Sequence, residues 1–205
     1  MKAFQSHRGK AALLDQSNID TDQIIPKQFL KSTSRTGYGE HLFYHWRTLA
    51  DGTPNEHFAL NRKEFVGASI LVTRTNFGCG SSREHAVWAL QQFGFQVIIA
   101  EETPDSPAFA DIFRANAIQN GLLPIALPTS SIDEIVRFLR SEPPLEMSID
   151  LKTQNVLLRT RSDKKFYSFD FPAPDKERLL KGLDEIDVIL LHEGQIRAFE
   201  SKHRS

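Results

Sequence analysis

Cysteine occurs once in these 205 residues, at Cys79. One thiol cannot close an internal disulfide, and one thiolate cannot supply the several ligands an iron–sulfur cluster usually takes. Charge of one sign is also missing. Twenty-five Lys and Arg stand against 26 Asp and Glu, for a formal net charge of −1, so there is no electrostatic footprint for nucleic acid or an anionic membrane. Nor is there a long apolar run. Met1 to Arg8 lack the core of a signal peptide, and no stretch approaches the roughly 20 residues of a membrane-spanning helix. These absences point to a cytoplasmic chain.

What is present suits one globular domain, residues 1–205, with 40% hydrophobic and 25% charged residues. Residues 68–73 read as a buried strand, followed by a Gly-rich turn over 76–80. A helix over about 82–93, with Gly94 at its stop, leads to a second buried strand over 95–100. Strand, turn, helix and strand make a βαβ unit, hence a parallel sheet. A second helix over 109–120, closed by Gly121, and a strand over 122–127 repeat the pattern, which places the chain in the α/β class. Ser131-Ile132-Asp133-Glu134 has capping-box spacing ahead of another amphipathic helix. Past Pro143-Pro144, segments 147–151, 155–159 and 166–171 suggest an added β meander packed on this core. The end, from Pro174, reads as helical. Residues 15–64 are irregular, and 31–64 are a candidate for a segment that orders only on binding.

The chemistry concentrates in Asn76-Phe77-Gly78-Cys79-Gly80-Ser81-Ser82-Arg83-Glu84-His85. Two glycines permit a sharp turn and a close approach by a ligand. The helix start behind them offers unpaired N–H groups and the positive end of the dipole, and Arg83 adds a planar fork for a carboxylate. Ser81-Ser82-Arg83-Glu84 also has the spacing of a capping box, so Ser81 reads equally as a simple cap. His85 reads as a structural histidine. Cys79 reads as a small turn residue, with a thiol nucleophile as the rival; no basic partner for it can be placed from sequence. Asp20 and Asp22 suit turn or cap chemistry, and Arg35 suits either a carboxylate site or an exposed loop.

Three ordered blocks carry a resemblance. Asn18-Ile19-Asp20-Thr21-Asp22-Gln23-Ile24-Ile25-Pro26-Lys27, continued by Arg35-Thr36-Gly37-Tyr38-Gly39, comes first. Asn76 to Leu90 follows, and Phe109-Ala110-Asp111-Ile112-Phe113 with Gly121-Leu122-Leu123-Pro124 completes the set. Together they resemble the small subunits of 3-isopropylmalate dehydratase, in the aconitase superfamily. The resemblance implies a layered β/β/α swivelling domain. It also implies a heterodimer with a large subunit that carries a [4Fe–4S] cluster, this chain binding no cofactor or metal itself. The implied reaction is the dehydration and rehydration of a hydroxy acid, interconverting 2- and 3-isopropylmalate in leucine biosynthesis, with iron as Lewis acid. Residue by residue, Ser81 is implied as the base that removes the carbon-bound proton, and Ser82 and Arg83 as holding substrate carboxylate. Asp22 aligns with an active-site aspartate. Asp22 and Arg35 complete the expected substrate-binding set. The chain departs from the family where Glu101 to Pro107 intervene after the second strand and Ala108 takes the usual serine position. That departure keeps open a related substrate of citraconate or homocitrate type. A carboxylate-binding module without catalysis is the different-class alternative.

Overall fold

The computed structural model describes residues 1–30, 35–190 and 193–203. Seven strands form one sheet in the order β4-β3-β2-β1-β5-β6-β7. In chain order the elements begin with β1 (Ser6–Leu14), α1 (Thr21–Ile24), α2 (Tyr44–Arg47), β2 (Ile70–Thr73) and α3 (Glu84–Phe93). They continue with β3 (Val97–Glu102), α4 (Asp111–Asn120), β4 (Leu123–Pro128) and α5 (Thr129–Ser141). Strands β5 (Leu145–Asp150), β6 (Asn155–Arg159) and β7 (Lys164–Ser168) precede α6 (Ala173–Lys181), α7 (Glu185–Leu190) and α8 (Glu193–His203).

The expected parallel core is there: β1, β2, β3 and β4 run parallel, with Ala11 opposite Ile70, Ile70 opposite Val97 and Val97 opposite Leu123. Period-two alternation sends Leu71, Ile98 and Ala100 to one face, under α1, α3 and α4. Ile70, Val72, Val97 and Ile99 go to the other face, against Ile132, Ile135 and Leu139 of α5. Strand β1 was not expected from sequence, and it is the pivot of the sheet. Its first half, Ser6 to Ala11, pairs antiparallel with β5, and its second half, Ala11 to Leu14, pairs parallel with β2. The β meander is therefore not a layer laid on the core. It is the continuation of the same sheet, edge to edge. The sheet also wraps α5, because Tyr167 of β7 donates to Glu134 of that helix at 3.0 Å while β3 and β4 pack on it.

Two expected helix starts differ. Helix α5 begins at Thr129, directly after Pro128, so Ser131 lies inside the first turn and caps nothing. Its Glu134 serves Tyr167 instead of the helix backbone. The long irregular region divides. Residues 31–34 of the segment expected to order on binding lie outside the described residues. Residues 35–64 form short turns that bury Tyr38, Leu42, Phe43, Leu60 and Phe65 against the α3 face.

Candidate active site

The loops that follow β1 and β2 leave the carboxyl ends of neighbouring parallel strands, where open α/β sheets place their sites. They do not separate. Asn18 N–H donates to Thr75 O at 2.9 Å, Gly78 N–H to Ile19 O at 2.7 Å and Thr21 N–H to Cys79 O at 2.9 Å. The last two belong to a bridge between Asp20 and Cys79 that keeps the strand register of Ala11 opposite Ile70. Asn18 and Asn76 both take left-handed backbone, φ 56° and 58°, and the Asn76 amide donates to Asn18 Oδ1 at 2.8 Å. On the far side, Asn76 and Phe77 N–H donate to the carbonyls of Pro107 and Ala108 at 2.8 and 2.9 Å. The glycine turn is held from both flanks.

Gly78 has φ 76°, and a Cβ there would stand 2.2 Å from the Phe113 ring, so both backbone and packing demand glycine. Gly80, with φ 86°, turns the chain out to Ser81 and Ser82, which are exposed. The Thr21 hydroxyl then grips the Ser81 carbonyl at 2.7 Å. This grip overturns the expected capping box. The chain stays extended through Arg83 (φ −145°, ψ 108°), which becomes the N-cap of α3 without a side-chain cap bond. Glu84 accepts instead from the Asn120 amide at 3.0 Å. The capping box forms one loop away, where Asp20 Oδ1 accepts from Gln23 N–H at 2.7 Å and Gln23 Oε1 accepts from Asp20 N–H at 2.8 Å. The Ser81 and Ser82 hydroxyls have no hydrogen-bond partner among the described residues.

Arg83 and Asp22 come together. Arg83 Nη1 donates to Asp22 Oδ1, and Nη2 donates to Oδ2 at 2.9 Å, a bidentate pair in which the Arg83 side chain is 9% exposed and Asp22 42%. Hydrogen bonds from Arg83 hold the Asp22 carboxyl below the usual carboxylate range, with Lys27 adding its charge at 3.7 Å. Asp22 takes the end-on face of the guanidinium. The Arg35 guanidinium lies over the Trp88 ring at 5.4 Å, and its carbonyl accepts from Gln92. His85 packs edge-on between Tyr38 and Trp88, in keeping with a structural role.

Burial and the charge of Asp20 push the Cys79 thiol up, away from the thiolate form a nucleophile needs. Among the described residues no three His, Cys, Asp or Glu side chains gather to hold a metal. With a single thiol, the chain's own residues do not supply the ligands of an iron–sulfur cluster. No described helix is long and apolar enough to cross a membrane. An open depression of about 510 Å³, lined by His7, Arg8, Asp150, Thr153 and Phe166, lies on the meander and shares no residue with the glycine turn. Sequence reasoning missed Thr21, Lys27 and the Asn18–Asn76 pair. The repeated Asn shortly after two strand ends was the available signal.

A parallel-sheet core with a serine-bearing glycine turn at its carboxyl end defines an aconitase-type swivelling domain, and residues 1–130 match the aconitase C-terminal domain family. The chain is 53% identical over 205 residues to the 3-isopropylmalate dehydratase small subunit of Geobacillus kaustophilus strain HTA426, covering 99% of this chain and 98% of that one. It is 52% identical over 206 residues to the small subunit of the same name from Desulforapulum autotrophicum, covering 98% and 96%. A crystal structure of 3-isopropylmalate dehydratase from Methanocaldococcus jannaschii superposes with a TM-score of 0.62 at 27% identity, covering 96% of this chain and 98% of that one. The chain belongs to the family of 3-isopropylmalate dehydratase small subunits.

Proposed function

We propose that this chain is the small subunit of a hydro-lyase that interconverts 2-isopropylmalate and 3-isopropylmalate by dehydration and rehydration in leucine biosynthesis. In this reading it works in the cytoplasm as a heterodimer with a large subunit that carries a [4Fe–4S] cluster, and residues 1–205 act as one swivelling domain. The observation that carries the reading is the pair of exposed serines presented by Gly80 beside a pre-aimed arginine fork.

The roles follow from that geometry. Ser81 Oγ, as its alkoxide, takes the carbon-bound proton in dehydration to become the hydroxyl, and gives a proton to the neighbouring carbon in rehydration, which restores the alkoxide. Its hydroxyl is free for this because the α3 backbone does not engage it. Ser82 and Arg83 bind a substrate carboxylate, aided by the uncapped N–H groups at the start of α3. Asp22 pairs with Arg83 and so aims it, and belongs with Arg83 to the proposed substrate-binding set. Arg35, stacked on Trp88 of α3, completes the proposed substrate-binding set. The 101–107 segment and Ala108, buried behind Phe77, favour a secondary reading in which the substrate alkyl group differs.

The test uses the chain assembled with its large subunit under anaerobic conditions. Ser81→Ala is expected to lower kcat by about a thousandfold, the middle of the range for loss of a positioned proton-transfer group, while the complex still forms. Full activity in that variant would reduce Ser81 to a turn residue. A wild-type assembly active only on another substituted malate would establish the secondary reading.

A further inference from the structure

Arg74 directly follows β2 and stands four residues before Gly78. Its Nε donates to Asp15 at 2.5 Å, and its Nη1 donates to Asp133 at 2.6 Å and to Glu101 at 3.3 Å. These three carboxylates come from three other elements: the end of β1, the first turns of α5 and the end of β3. Arg140 of α5 pairs with the second oxygen of Asp15. The inner members are shielded from water, with side-chain exposures of 20% for Arg74 and Asp15 and 10% for Glu101. An isolated surface pair contributes little, but one planar fork holding two shielded carboxylates and the exposed Asp133 fixes four backbone segments relative to one another.

We propose that Arg74 is a positioning residue for the Ser81 turn, with Glu101 as the anchor that joins the extra 101–107 segment to it. The link from Arg74 to Ser81 has no slack. Thr73 Oγ1 and Arg74 N–H both donate to Gln16 O, at 3.0 and 3.3 Å, tying the β2 end to the β1 loop. From there the Asn18–Thr75, Ile19–Gly78, Thr21–Cys79 and Thr21–Ser81 bonds follow in succession. The extra segment closes on itself through Thr103 and Ser106, then presents Pro107 and Ala108 to the turn. Glu101 and the Pro107 and Ala108 carbonyls therefore hold the turn at two points. The segment is part of the platform under Ser81, not a surface decoration. Strong pairing also drives the Arg74 pKa up, keeping the fork charged throughout the working range.

The proposal rests on the hydro-lyase reading for its kinetic arm only. Glu101→Gln keeps the shape and removes one anchor; Arg74→Lys keeps the charge but cannot span three carboxylates. In the assembled enzyme both are expected to lower kcat on the order of tenfold, as a displaced catalytic group does, with KM changed less than about twofold, as expected when ground-state binding is kept. In the isolated chain, amide hydrogen exchange at Thr21 and Gly78 is expected to speed up about tenfold, as for a local opening, while Ile98 and Ile99 in β3 keep their rates. Unchanged kcat with only a lower melting temperature, or exchange accelerated equally in turn and core, would overturn it. If the wild-type assembly turns over no malate-type acid, the hydro-lyase reading fails, and the exchange arm still decides the role of Arg74.

Discussion

At the scale of single residues, the site turns on which group faces which edge of Arg83. Asp22 was expected beside the substrate, and it is found holding the arginine that is proposed to do the binding. The pH behaviour of this pair has a definite sign. Hydrogen bonds from Arg83 lower the Asp22 pKa from its ordinary 3.8 in the folded chain. The pair's contribution is therefore complete above pH 3.8 and lost only as pH falls through the lower folded value. Nothing about Arg83's aim should change between neutral pH and pH 5. A carboxyl-carbon NMR titration of Asp22 is expected to show its midpoint below 3.8, and Asp22→Asn should remove it. A midpoint above 3.8 would mean that Arg83 does not hold the carboxylate in solution.

At the scale of elements, the sequence exposed the periodic pieces and hid the ones that depend on partners. Helices α3 and α4 were legible from their glycine stops, and β2, β3 and β4 from unbroken apolar runs. Strand β1 was not, because Ser6 to Lys10 carry the half-exposed pattern of the meander junction and Ala11 to Leu14 the buried pattern of the core. No single period describes both. Cap positions failed for a similar reason. Ser81-Ser82-Arg83-Glu84 satisfies the capping-box spacing, but Thr21, 60 residues away in sequence, claims the Ser81 carbonyl first. Asp20 to Gln23 carries the working box and opens a helix of four residues, too short for any periodicity to reveal. Ser81, Ser82 and Arg83 stand out in the sequence as a candidate site by their motif; the Asp22–Arg83 pairing does not, because it is tertiary. The cap itself is testable. Asp20→Ala is expected to cost about 1 kcal/mol, the usual worth of an N-cap, measured by urea unfolding. It should also bring the Cys79 thiol down, since the Asp20 charge helps to raise it, and iodoacetamide labelling at pH 8 should quicken. No change in either readout would leave the box without energetic weight.

For the whole molecule, the decisive feature is that β1 serves two ladders and α5 is wrapped by one sheet. Met147 of β5 is fully buried beneath the meander and belongs to the same apolar cluster as Ile70, Ile99 and Ile135. Trp46 and Trp88, the two tryptophans of the chain, pack on the opposite face with α3. If the sheet is one cooperative unit, a cavity at Met147 must be felt at those tryptophans. Met147→Ala is expected to destabilise by about 2–5 kcal/mol, the range for emptying a core position. Tryptophan fluorescence and far-ultraviolet circular dichroism should report one coincident, shifted unfolding transition. A meander folding as a separate appendage would behave otherwise: the fluorescence midpoint would stay at the wild-type value while only part of the dichroism signal moved. Coincidence of the two probes would mean that the platform carrying Ser81, Arg83 and Arg74 draws its rigidity from the whole seven-stranded sheet. Destabilising substitutions far out on the meander would then loosen the site without touching it.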